Sequence, residues 1–68
     1  MISYNPLWKT LIDKGYKKTD LIDGAKLSST TIADMGKNSH VNTSTIEKIC
    51  EFLDCKIPDV IEYIPDNN

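Results

Sequence analysis

Sixty-eight residues, 40% of them hydrophobic, suffice for one domain around one small core and leave no room for a sizeable substrate cavity. The formal charge of −2 opposes an anionic partner on average, though the local distribution of charge decides that question. Two cysteines and one histidine are too few for a zinc centre, so no metal and no cofactor are expected.

No nucleophile–base pair or carboxylate pair stands near a pocket-forming segment, so the chain does not read as an enzyme. No apolar run approaches the ~18–20 residues that span a bilayer. The start, Met1-Ile2-Ser3-Tyr4-Asn5-Pro6, lacks the basic and apolar regions of a secretory signal. A cytoplasmic protein without membrane contact is the expectation, and residues 1–68 read as one domain.

The pattern predicts five short helices and no strand. Pro6 opens the first helix, where its missing N–H costs nothing, and Leu7, Trp8, Leu11 and Ile12 recur at helical spacing. Lys14-Gly15 ends it with a cation and a glycine. Trp8 reads as a core anchor. The second helix is expected over about Lys17 to Ala25, burying Leu21, Ile22 and Ala25, with Tyr16 packing on Leu21 or nearby apolar atoms. Leu27 is an apolar plug in the following turn, where Lys26 adopts a left-handed conformation at some cost. Ser28 caps the third helix, about 28–36, and Gly36 and Asn38 relieve the backbone where it ends.

A polar loop, Lys37 to Asn42, leads to a fourth helix capped by Asn42 or Thr43. Its stripe of Ile46, Ile49, Cys50 and Leu53 is the clearest amphipathic signal in the chain, and Phe52 lies off it. Cys50 reads as a buried, inert thiol, and Cys55, five residues on, as facing elsewhere, which does not suit an intrachain bridge. Pro58 marks a last helix bearing Ile57, Val60, Ile61 and Ile64. The tail from Pro65 to Asn68 is expected to fray.

The third helix carries the functional signal. Ile32 and Met35 point inward, while Ser29, Thr30, Ala33, Asp34 and Lys37 point outward. A helix meant only for solvent would carry long Glu, Lys and Gln, which are better helix formers. Short hydroxyl side chains let a helix approach another surface closely and offer it donors and acceptors. The DNA major groove is one such surface. The bland alternative is a capping run, Ser29-Thr30-Thr31, followed by a solvated face.

Charge supports the DNA reading locally. Six lysines against four aspartates leave +2 up to Thr45, and two lysines against six acids leave −4 from Ile46 onward. An anionic partner is therefore steered to the N-terminal part. There is no arginine, the residue most used to read guanine.

Ala25 and Leu27 supply the small residue and apolar plug of a helix-turn-helix corner. At this point the chain resembles the phage-repressor/Cro (XRE-like) helix-turn-helix family. The resemblance rests on Gly15-Tyr16-Lys17-Lys18-Thr19-Asp20-Leu21-Ile22, Leu27-Ser28-Ser29-Thr30-Thr31-Ile32, Ile46 through Cys55, and Ile57-Pro58-Asp59-Val60-Ile61. It implies an all-α, five-helix domain with the helix-turn-helix in helices two and three, binding double-stranded DNA as a transcriptional regulator. Carried over by position, Lys17 and Lys18 stand at the start of the second helix. Ser28, Ser29, Thr30 and Asp34 point into the major groove, and Lys37, Asn38, Ser39 and His40 lie along the backbone. Repressors of this kind act as homodimers. Phe52, Ile61, Tyr63 and Ile64 either anchor that dimer or close the core over the first helix. No small-molecule effector is expected. The competing reading is an antitoxin-like protein-interaction module that uses the same fold without DNA.

Overall fold

A computed structural model describes residues 1–65. It contains α1 (Asn5–Lys14), α2 (Asp20–Gly24), α3 (Ser29–Gly36) and α4 (Thr43–Leu53), framed by two short strands, β1 (Ile2–Ser3) and β2 (Glu62–Tyr63). The expected fraying of the tail falls largely on residues 66–68, outside the described part. Among the described residues no helix is long and apolar enough to cross a membrane.

Among the described residues four α-helices are present where five were expected. The last predicted helix is one 3₁₀ turn, Ile57–Asp59, followed by β2. Pro58 starts the turn as anticipated, and Asp59 caps it by accepting the Lys56 N–H at 3.1 Å. The run Ile61-Glu62-Tyr63-Ile64 then extends, because β-branched and aromatic residues lose side-chain freedom in a helix and suit a pleated strand. Its partner lies at the far end of the chain. β1 pairs antiparallel with β2, Ile2 opposite Tyr63, and the Met1 ammonium donates to the Ile64 carbonyl at 2.6 Å. Only Val60 of the expected stripe is fully buried, and Ile57 is exposed.

Helix α1 ends as read: Gly15 adopts φ 78°, and the Gly15 and Tyr16 N–H groups return to Ile12 and Leu11 carbonyls. Its buried stripe is narrower than expected, however. Leu7 and Leu11 are buried and Trp8 is half-buried, whereas Ile12 is 76% exposed. α1 packs on the 3₁₀ turn, a contact too small to cover two stripes, and Thr10 Oγ1 donates to the Asp59 carbonyl at 2.8 Å. Helix α2 starts three residues later than expected, because Lys17–Thr19 form a turn closed by the Asp20 carboxylate. Leu21, Ala25 and Leu27 are buried, and Ile22 is only half-buried.

Phe52 finds its explanation where α2 meets α4. Its ring lies 5.0 Å from that of Tyr16 and covers Gly24, where a Cβ would run into the Phe52 ring. Gly24 therefore lets the two helices approach, and Phe52 is among the apolar groups on which Tyr16 packs. The core comprises Tyr4, Leu7, Leu11, Leu21, Ala25, Leu27, Met35, Ile46, Ile49, Leu53 and Val60.

The two cysteines depart from expectation. Asp54 takes φ 52° after the last turn of α4, and the Cys55 N–H returns to the Cys50 carbonyl at 3.1 Å. This six-to-one bond of a Schellman cap folds residue 55 back over residue 50. A spacing count that continued the helix past Leu53 missed that reversal. Cys50 is half-exposed rather than buried.

Candidate nucleic-acid interface

The helix-turn-helix is built from α2, the turn Ala25–Ser28 and α3. Lys26 sits in the turn at φ 59°, as anticipated, and the Leu27 N–H bonds the Leu21 carbonyl at 3.2 Å while its side chain plugs the corner. Ser28 is extended (ψ 158°) and caps α3: its Oγ accepts the Thr31 N–H at 3.1 Å and shares a second bond with Thr31 Oγ1 at 3.0 Å. Because the cap satisfies Thr31, the N–H groups of Ser29 and Thr30 remain at the open end of the helix.

Met35 is fully buried and Ile32 half-buried, so α3 is backed as expected. Ser29, Thr30, Ala33 and Lys37 are exposed and, at 3.6 residues per turn, fall within about 100° of the helix circumference. Asp34 is half-buried at the border of this face. Ser28 is exposed, with its hydroxyl engaged in the cap. The outward face of α3 thus presents the short side chains of Ser29, Thr30 and Ala33 beside Lys37, with Asp34 at its edge.

The lysines are held unequally. Lys18 places its Nζ 4.3 Å from the centroid of the Trp8 ring, a cation–π contact on a half-buried indole. Trp8 is thus a lysine platform as much as a core anchor. Lys17 is exposed, but its N–H is taken by Asp20 Oδ2 at 2.7 Å. Asp20 and Asp23 both lie in the first turn of α2 and put negative charge beside Lys17 and Lys18. Lys37 caps α3 at its C-terminal end, where a cation is favoured.

The loop after α3 is fastened from the N-terminus. The Tyr4 N–H donates to Asn38 Oδ1 at 3.4 Å, and the Tyr4 hydroxyl donates to the Ser39 carbonyl at 2.7 Å. Asn38 takes φ 58°, and the Ser39 N–H bonds the Asp34 carbonyl at 2.9 Å. Burial pushes the Tyr4 phenol above its usual value, against an opposing bond from the Val41 backbone. The Asn38 side-chain oxygen is thus held by the Tyr4 N–H and its backbone N–H by the Met35 carbonyl, which leaves its Nδ2 group for a partner. His40 is exposed beside Ile2, Tyr4, Val41 and Thr43.

Tyr4, Thr31 and Asp20 were missed as parts of this site. Ser28-Thr31 and Lys17-Asp20 are three-residue spacings that capping chemistry makes readable. Tyr4 has no local signal, because its partners lie 34 and 35 residues away.

A family model described as the Cro/C1-type HTH DNA-binding domain matches residues 6–66. The chain belongs to this family. It is also similar to a crystal structure of the transcriptional regulator VanUg, with a TM-score of 0.90 and 43% identity over 96% of this chain and 87% of that one. No curated protein gives a match. The Cro/C1-type domain before us thus has a DNA-binding fold.

Proposed function

We propose that this Cro/C1-type domain is a sequence-specific transcriptional repressor that reads the major groove as a homodimer, in the cytoplasm and without a small-molecule effector. The observation that carries the reading is the α3 face: Ser29, Thr30 and Ala33 stand exposed and short, backed by buried Met35. Base contacts fall to Ser29 and Thr30, and to Asp34, which accepts from cytosine N4. Lys17, Lys18 and Lys37 meet phosphates, with Lys14 and Lys26 nearby in sequence and the Asn38 amide and His40 along the strand. Four phosphate contacts per subunit, drawn from these five lysines, correspond to a log–log salt slope of roughly −3.5, doubling for the dimer. Two half-sites would lie about 34–36 Å apart.

For the dimer contact, Ile61, Tyr63 and Ile64 belong to the β2 segment, and Tyr63 is 71% exposed. Phe52 takes part only through its outer edge, since its ring already covers Gly24. The competing antitoxin-like reading draws on the absence of arginine and the carboxylates in the first turn of α2. Selection of bound sequences from a random duplex pool at low salt tests the proposal. Enrichment of a two-fold symmetric site is the expected result. Recovery of the unselected pool would sink the repressor reading and leave the interaction module.

A further inference from the structure

The DNA reading leaves the C-terminal end of α4 unused. There the Schellman cap at Asp54 folds residue 55 back beside residue 50, a pair of positions that helices often fill with apolar residues. Here both positions are cysteine. The Cys55 N–H bonds the Cys50 carbonyl at 3.1 Å, and both cysteines line one open groove of about 690 Å³ with Ile46, Ile57, Pro58 and Ile61. Both residues are partly exposed, on a groove open to solvent.

We propose that Cys50 and Cys55 form a redox-active dithiol that closes to an intrachain disulfide by exchange with a low-molecular-weight disulfide. One thiolate attacks the reagent, forming a mixed disulfide and releasing one thiol. The second thiolate then attacks the protein sulfur of that bond and releases the other. Two protein thiols and one external disulfide become one protein disulfide and two external thiols, so the electrons and protons balance. Burial is the first cause that pushes the Cys55 thiol up, to about 11, and the neighbouring Cys50 adds to it. The exchange is therefore slow at neutral pH and is driven by the high effective concentration of one sulfur at the other rather than by an activated thiolate. Closure ties residue 55 to the last turn of α4 and stiffens one wall of the groove.

The test equilibrates the full chain in mixtures of reduced and oxidised glutathione at pH 9, natively and in denaturant, with alkylation and mass measurement. We expect a single monomeric species that has lost two hydrogens and resists alkylation. It should form natively at a glutathione ratio at least tenfold more reducing than in denaturant. Cys50→Ser and Cys55→Ser, which do not depend on each other's folding, should each carry one stable glutathione adduct. Double adducts on the native parent chain, interchain dimers, thiols that stay reduced throughout, or equal closure in both conditions would each overturn the proposal.

Discussion

Helices α3 and α4 are both amphipathic and both bury one side against the same core, yet their outer faces differ in kind. α4 turns Glu47, Lys48 and Glu51 to solvent. These are long side chains that favour a helix and hold a neighbouring molecule at a distance. α3 turns out Ser29, Thr30 and Ala33, which are poor or neutral in that respect apart from alanine, and which let a surface approach its backbone. Where a helix gives up intrinsic propensity on its exposed side, the loss is explained by what that side is to touch. The stability of α3 must then come from behind it, from Met35, Ile32 and the Ser28 cap.

That contrast can be broken most forcefully from behind. Met35→Ala should destabilise the domain by about 2–4 kcal/mol in urea unfolding, since it empties a fully buried site under a helix with little propensity of its own. Gly24→Ala should cost about 1–3 kcal/mol, because the new methyl meets the Phe52 ring and forces α2 from α4. A neutral result would show that Phe52 swings away freely.

The charged and reading positions sharpen the same contrast with smaller effects. Lys17→Ala together with Lys37→Ala should weaken binding uniformly across sequences and flatten the log–log salt slope by about 1.8 per subunit, two contacts at about 0.9 each, and so by about 3.6 for the dimer. Thr30→Ala should relax preference at one base position by about 1 kcal/mol. Glu47→Ala on α4 should leave the selected site unchanged, and a shift there would place α4 in the groove instead.

The last prediction concerns alkaline stability. The folded state holds the Tyr4 phenol and the Cys55 thiol above their ordinary values of 10.0 and 9.0, chiefly by burial. The unfolded chain therefore releases these protons first. Stability is complete below pH 9 and falls as pH rises toward 11, with Tyr4→Phe removing part of the fall. Urea midpoints measured from pH 7 to 11 check the sign, and a midpoint that rises with pH would contradict it.

Much of this molecule was readable along the chain because the signals are local. Gly15 ends α1, Ser28 caps α3, Lys26 takes the left-handed turn conformation, and Leu27 fills the corner; each follows from bonds spanning six residues or fewer. The outward face of α3 was likewise visible, since a period of 3.6 residues assigns sides without knowing the partner. The same arithmetic failed past Leu53, where one left-handed residue reversed the chain and set Cys55 on Cys50.

What tertiary structure alone decided are the long-range pairings. Ile2 with Tyr63 turned an expected fifth helix into a strand, Tyr4 pinned Asn38 and Ser39, and Phe52 settled on Gly24 and Tyr16. A sequence states what each residue prefers within a few positions of itself. Which distant segment supplies the missing hydrogen bond or the apolar cover is set by how the helices pack, and at those sites packing outweighed local preference.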